Sequence, residues 1–428
     1  MVEARYIHTN SWGEWTNSDI WEFRNYNEVN VIENNFAKEF RIAQGNLQAN
    51  IAAGKGNTFA YTGAAGTVPL PILAAFLSGV PAAQSGDSSR YTGTGWTNST
   101  LLTNMYPLNP NVLSAAGTIR SNATYKANGL TAGLPANFWV ANPDVASAFV
   151  ETNGRNTKYD GIQLILTRRF SNGLQANANY SYGVGQQSAF YSFHKPYVWN
   201  EMSASNMTRG GGPVNHAFMA SWVYELPFGQ GKPIAGNVGR GMQRLVGNWS
   251  FSGTLRLQSG RRLDFGNVRM VGFTKEDLKG FYGTRIVTDP ANQYRSLVYM
   301  LPQDVIDNTI KAFSVNATGY SAGAPSGRYF APANGPDCME TVANGYGDCG
   351  ARTVVITGPK IFRTDISISK EVPIVRQLNF RFEVMIFNLF NNTNFYPNNY
   401  TGSTPDSYQV TTAADESRTM QLAFRVTW

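Results

Sequence analysis

Met420-Gln-Leu-Ala-Phe-Arg-Val-Thr-Trp428 is the stretch whose reading decides the fold. Met420, Leu422, Phe424, Val426 and Trp428 fall on every second position, and Gln421, Ala423, Arg425 and Thr427 fill the gaps. Such alternation describes a β-strand with one face in an apolar medium and the other in a polar one. An aromatic residue closes it, whereas a soluble sandwich strand ordinarily runs on into a polar terminus.

The same parity recurs up the chain. Over 377–387 it is carried by Leu378, Phe380, Phe382, Val384 and Ile386; over 249–258 by Trp249, Phe251, Leu255 and Leu257. Val214, Phe218, Ala220, Trp222, Tyr224 and Leu226 share a face in 213–226, and Leu174, Ala176, Ala178, Tyr180 and Tyr182 do so in 174–182. In 161–170 the apolar row is Ile162, Leu164, Leu166 and Phe170.

The residues between these rows identify the solvent. A soluble sandwich buries one face of each sheet and wets the other, usually with Lys, Glu and Thr. Here the polar row is Gln, Asn, Ser and Arg, and the apolar row is rich in Phe, Tyr and Trp. A transmembrane barrel requires that distribution: apolar and aromatic side chains outward, polar ones toward a lumen, strands of about ten residues. Ile162, Leu164, Leu166, Tyr180, Phe218, Trp222, Phe251, Leu255, Phe380, Phe382 and Val384 are therefore expected to face lipid. Arg168, His216 and Lys370 break the apolar rows and are expected near strand ends, where the cost of about 2–4 kcal/mol for a mid-membrane charge fades. Outer-membrane barrels also present an alternating final strand with a terminal aromatic residue for insertion, and Met420, Leu422, Phe424, Val426 and Trp428 resemble that signal.

Bulk composition agrees. A 428-residue chain exceeds one ordinary globular core, but a barrel escapes that limit because lipid covers its outside. Charged residues make up 15% and aromatics 13%, which is unlike a disordered or nucleic-acid-binding chain. The net charge of +7 is scattered, suiting a lumen or an acidic leaflet better than a nucleic acid. No stretch approaches the roughly 18 apolar residues of a membrane helix; Val68–Val80, with Pro69 and Pro71, reads as a loop. Met1-Val-Glu-Ala-Arg5 lacks the basic start and apolar run of an export signal, so a cleaved or fragmentary chain is expected.

In chain order, strands are expected at 2–8, about Phe23–Val31, 157–170, 174–185, 213–226, 249–260, 361–371, 377–390 and 420–428. Phe36, Phe40, Ala43, Leu47 and Ile51 recur at helical spacing, giving one amphipathic helix over Glu33–Ile51 whose stripe packs on neighbouring loops. Short helices fit near 98–106 and 109–116. Ser171-Asn-Gly173 is a hairpin signal. Pro227-Phe-Gly-Gln-Gly-Lys-Pro233 lacks the hydroxyl residue of a phosphate loop and reads as a turn. With Trp428 on the inner side, the long connections 32–156, 186–212, 261–360 and 391–417 all fall outside. Turns near 9–21, 171–173, 227–248 and 372–376 fall inside. The whole is one all-β domain, a partial antiparallel barrel of about nine strands whose external loops carry short helices.

Chemistry-bearing clusters are sparse. Cys338 and Cys349 in an exported loop read as a disulfide, worth about 2–3 kcal/mol on the chain-entropy model. The alternative, a metal site with Asp337 and Asp348, lacks a histidine and a CxxC spacing. His8, His194 and His216 are far apart, and no GxSxG or HExxH motif occurs, so no catalytic residue, metal or cofactor is expected.

Several phrases together resemble the C-terminal barrel half of TonB-dependent outer-membrane transporters of the Oar-like group. They are Tyr26-Asn-Glu-Val-Asn-Val-Ile-Glu-Asn-Asn-Phe-Ala-Lys-Glu-Phe40, Tyr159-Asp-Gly-Ile-Gln-Leu164, Thr167-Arg-Arg-Phe-Ser-Asn-Gly-Leu174, Tyr224-Glu-Leu-Pro-Phe-Gly229, Ser259-Gly-Arg261 and Phe387-Asn-Leu-Phe-Asn391. The resemblance implies a barrel of about 22 strands. It also implies a separate N-terminal plug and an energising TonB-type complex at the inner membrane. Plug, coupling box and roughly thirteen strands are absent here, so no gating or coupling residue carries over. The implied cargo is a small-molecule or oligomeric nutrient such as a siderophore, glycan or peptide. An open half-barrel is expected to be inactive alone. A passive porin and a surface adhesion module are the alternatives.

Overall fold

The computed structural model describes residues 1–16, 26–28, 30–146, 148, 152–188, 207–208, 215–335, 353–375, 378–414 and 416–428. Strand β1 (Val2–Thr16) leads to helices α1 (Asn30–Glu33), α2 (Phe36–Ala52), α3 (Pro71–Ser78), α4 (Ser99–Met105), α5 (Val112–Ser121) and α6 (Ala123–Thr131). Strands β2 (Thr152–Ser171), β3 (Leu174–Ser188), β4 (Met207–Thr208) and β5 (His216–Glu225) follow, then α7 (Arg240–Val246) and β6 (Trp249–Gln258). A second insert holds β7 (Arg262–Val271), α8 (Lys275–Phe281), β8 (Arg285–Asp289), β9 (Asn292–Tyr299) and α9 (Gln303–Phe313). It continues through β10 (Val315–Asn316), β11 (Gly319–Tyr320), β12 (Tyr329–Pro332) and β13 (Thr353–Thr357). The chain closes with β14 (Ile361–Val375), β15 (Leu378–Phe387) and β16 (Thr419–Thr427).

One antiparallel meander dominates, in the order β1-β2-β3-β5-β6-β14-β15-β16, with β4 pairing β3 beside it. It is nine-stranded, but these are not the nine strands expected from sequence. The strand at Phe23–Val31 is replaced, where described, by a 3₁₀ turn at Tyr26–Glu28 and by α1. Its weak alternation gave a strand too little to hold on to, and the adjacent α2 pattern extends helical structure back through it. The ninth strand is the two-residue β4. Strand β1 runs on to Thr16, so residues 9–16 are strand rather than part of an inner turn. Met1 then lies at the same end as the β2–β3 turn, where its ammonium donates to the Thr167 carbonyl over 2.8 Å.

Connections sort by end. Thr16, Thr152, Ser188, His216, Gln258, Ile361, Phe387 and Thr419 stand at one end of the sheet, and Ser171, Leu174, Glu225, Trp249, Val375 and Leu378 at the other. Barrels carry short turns on the inner side and long loops outside, which orients the sheet. The two-residue turn Asn172–Gly173 has φ of 51° and 78°. Both central residues of a type I′ turn need positive φ, and Asn-Gly supplies it at least strain. A Cβ on Gly173 would also stand 2.8 Å from the Glu225 carbonyl oxygen.

The described residues of the outer connections fold into two lobes, each with its own core. Residues 30–140 pack Phe36, Phe40, Ala43 and Leu47 of α2, all fully buried, against Leu73, Phe76, Leu101, Met105, Ile119 and Trp139. Ile51, at the end of the same stripe, is 38% exposed. Val68–Val80 is a correction: its centre is α3, which Pro71 starts at the first helical position, where a missing N–H costs nothing. The segment is apolar because it fills the lobe core. The second lobe packs Phe265, Leu278, Met300, Val305, Ile306, Phe330 and Tyr408 around the sheet β12-β7-β13. The lobes touch through Asn334 Nδ2, which donates to the Pro110 carbonyl over 3.0 Å.

Glu39 is the unexpected residue of α2. It is 5% exposed among the aromatics, and its two carboxyl oxygens accept the Ile72 and Leu73 N–H groups at 2.9 and 2.7 Å. The carboxylate thus caps α3, satisfying donors that a helix start leaves unpaired. Burial pushes its pKa up to about 7 from the ordinary 4.5, against the pull of those two N–H groups. The folded lobe therefore binds this proton more tightly than the unfolded chain does. The stabilisation is full below pH 4.5 and is lost as pH rises through about 7. Glu39→Gln should flatten the fall in lobe stability between pH 5 and 8, as followed by hydrogen exchange of residues 36–140. Phe40→Ala should destabilise the same lobe by about 3–5 kcal/mol while leaving exchange in β14–β16 unchanged.

Candidate membrane wall and its two faces

Register aligns the alternating residues into rows that cross the sheet. One row runs Ala4–Leu164–Tyr180–Phe218–Leu257–Phe362, and the next Val2–Leu166–Ala178–Ala220–Leu255–Thr364. Beyond them come Ala176–Trp222–Gly253–Ile366–Ile386–Met420 and Leu174–Tyr224–Phe251–Ile368–Val384–Leu422. The last are Trp249–Lys370–Phe382–Phe424 and Val372–Phe380–Val426. All the residues expected to face lipid therefore share one face of the sheet. Leu164, Leu166, Leu422 and Phe424 are 44–66% exposed there among the described residues. Trp428, just past β16, is almost fully exposed.

Aromatic residues on this face gather toward both ends. Tyr6, Tyr180, Tyr182, Phe218 and Phe362 mark the outer side. Trp222, Tyr224, Trp249, Phe251, Phe380, Phe382 and Phe424 mark the inner side, with Phe382 and Phe424 ring centroids 5.2 Å apart. Leu, Ile, Ala and Met fill the middle. Two aromatic girdles around an aliphatic band are the expected trace of a membrane's two interfaces. The outer margin carries polar partners: Tyr6 donates to Asp160 over 2.7 Å, and His8 Nδ1 lies 2.7 Å from the same carboxylate.

The three charged or basic interruptions are handled individually. His216 starts β5 and lies 2.8 Å from the Tyr180 hydroxyl; Arg168 donates to the Ser171 carbonyl over 3.2 Å at the inner turn. Lys370 departs from expectation. Strand β14 continues to Val375, so Lys370 is not at its end. Instead its ammonium sits 5.0 Å over the Trp249 ring and donates to the Gly247 carbonyl of the inner connection. A long side chain thus carries the charge out of the band, which is how such residues are tolerated in membranes.

The opposite face is polar and internally bonded. Arg363 holds Asp365 at 3.1 Å, Ser367 donates to Glu383 over 2.6 Å, and Arg381 sits 3.3 Å from Glu383. Ser250 and Ser369 share a hydrogen bond of 2.7 Å, and Asn177 donates to Thr167. Bonds like these, along β14 and β15 and between neighbouring strands, order a wall whose side chains would otherwise each need water. Met219 and Val223 stand out on this face, 48% and 45% exposed.

Two of the phrases singled out in the sequence acquire structural roles. In Tyr159-Asp-Gly161, the tyrosine ring lies across Gly161 and its cross-strand partner Gly183, where a Cβ would come within 2.8 and 2.4 Å of the hydroxyl. In Phe387-Asn-Leu-Phe-Asn391, Asn388 and Asn391 both take positive φ, 52° and 53°. Asn388 accepts the Asn392 N–H and donates to the Asn392 and Glu416 carbonyls, turning β15 out of the sheet. Its sequence signal is a pair of asparagines just past an alternating run. Cys338 and Cys349 lie outside the described residues, as does His194. No helix among the described residues is long and apolar enough to cross a membrane.

These features define an antiparallel outer-membrane β-barrel wall. The chain belongs to the outer membrane beta barrel domain family, whose model matches residues 88–421, and its place is the bacterial outer membrane. No curated protein matches it significantly. Among solved structures it is similar to FpvA of P. aeruginosa, in a complex with a heterologous pyoverdine and iron, at 10% identity and a TM-score of 0.28. That likeness covers 67% of this chain and 21% of the FpvA chain.

The two faces differ in what they tolerate. Ala220→Arg, in the middle of the apolar band, should cost about 2–4 kcal/mol, and Ser221→Arg on the opposite face less than about 1 kcal/mol. Urea unfolding in lipid vesicles measures both.

Proposed function

We propose that this chain is the C-terminal wall of a transporter of the TonB-dependent kind, Oar-like in its motifs, for uptake of a bulky nutrient such as a siderophore, glycan or peptide. The reading rests on the polar face. A water-filled porin lines its lumen with polar groups throughout, whereas Met219 and Val223 present apolar surface there. Such surface suits a lumen occupied by protein, as the resemblance to plugged transporters implies. The open sheet supports the same view. Among the described residues β1 pairs only with β2 and β16 only with β15. Unpaired edges cannot stand in hydrocarbon, so the functional barrel takes further strands and a plug, and the chain alone does not transport. Its energising partner is a TonB-type complex of the inner membrane. The reading is non-enzymatic, without metal or cofactor.

A passive porin has one observation in its favour. The sheet has eight long strands and one two-residue strand, and eight is an even number of the kind that closes in bacterial barrels.

Cells producing the full-length gene product should accumulate a labelled siderophore or oligosaccharide only while the inner membrane is energised. Uptake indifferent to an uncoupler would sink the proposal. In planar bilayers the chain alone should give no discrete conductance, whereas steady single-channel steps would establish the porin.

A further inference from the structure

We propose that the cleft between the wall's apolar face and the second lobe is a binding site for an anionic acyl lipid of the outer leaflet, with phosphate on its head. A cavity of about 500 Å³ opens there, lined by Leu257, Ile361, Phe362, Thr284, Asn392 and Phe395, with Lys360 at its edge. Leu257 and Phe362 are cross-strand partners in the outermost apolar row of the wall, so the cavity floor continues the band that meets acyl chains. Phe390, 59% exposed, extends that floor with its ring 5.5 Å from Phe362.

Above this floor the cleft turns cationic. Lys360 lines the cavity together with Leu257 and Phe362. Just beyond the last pair of the ladder, Gln258 and Ile361, the Gly358 N–H donates to the Arg261 carbonyl, which brings the Arg261 backbone beside the segment that carries Lys360. Lys360 is exposed, and Arg261 lies 5.7 Å from the Tyr396 ring. Neither has an acidic partner among the described residues, unlike Arg363, Arg381 or Arg328, which do.

Height selects a lipid head as the anion. From Lys360 to Val375 at the inner turn the strand rises, with the usual tilt, roughly 35 Å along the membrane normal. The apolar band of such barrels is about 25 Å tall, so Lys360 stands at head-group level. Apolar floor below and unpaired cations above match a molecule with chains below and phosphate above. Thr284 and Asn392–Asn394 complete the lining of the cleft.

Native mass spectrometry of the full-length protein in mild detergent tests the site with three probes: diphosphoryl lipid A, its dephosphorylated form, and inorganic phosphate. Wild type should retain lipid A and bind the dephosphorylated form weakly. Each cation near a membrane surface changes binding by about fivefold, so Lys360→Gln should lose about fivefold and Lys360→Glu with Arg261→Glu at least 20-fold, about the product of the two. Arg240→Glu, on the inner connection, should change nothing. Heat-dependent migration on gels checks that each variant is folded, and should the double variant not fold, Lys360→Gln and the dephosphorylated probe decide. Equal retention by Lys360→Gln or of the dephosphorylated lipid overturns the site. Displacement of lipid A by equimolar inorganic phosphate would make it a free-anion site and overturns the lipid assignment.

Discussion

Within hydrocarbon no water is available to a peptide group, so each N–H and C=O must find its partner inside the sheet. The rest of the structure follows from that requirement. A meander of neighbouring antiparallel strands meets it with the fewest connections. Where a connection must be tight, the chain uses the shortest turn that matches strand twist, Asn172–Gly173. Where a connection is long, it is built to stand alone in water. Each large insert carries fully buried residues of its own, Phe36 and Leu47 in one and Leu278 and Phe330 in the other.

The same constraint governs charge. Lys370 is tolerated on the apolar face because its stem reaches the Gly247 carbonyl and the Trp249 ring. On the other face, arginine, glutamate and serine neighbours satisfy one another, so that wall remains ordered against water or against a plug. Glu39 shows the opposite regime. A single carboxylate is drawn into an aqueous lobe's core because two helix-terminal donors await it.

Much of the wall was legible in the sequence, because a period of two survives any tertiary context when one side must be apolar. Strands β14, β15 and β16 and the Asn-Gly turn follow from Phe380, Leu422 and their neighbours alone. The lobes were less legible. Pro69 and Pro71 argue locally for a loop in Val68–Val80, yet a proline at a helix start is compatible with α3, and burial rather than propensity decides. Phe23–Val31 has too little alternation to identify a strand, and Val31 at its helical end is buried in the first lobe's core. Glu39 lies on the apolar stripe of α2, but its partners are more than 30 residues away and no spacing reveals them. The cleft beside Phe362 arises from a loop that returns near β14, so it has no linear signature.

Strand β1 meets β2 only across an insert that runs from residue 17 to residue 151. Closing so long a segment costs chain entropy that a two-residue turn does not. Pairing is therefore cheapest across the two-residue turn between β2 and β3, and the β1 edge carries the largest closure cost in the sheet. The helical insert, with a core of its own, is the body that bridges β1 and β2.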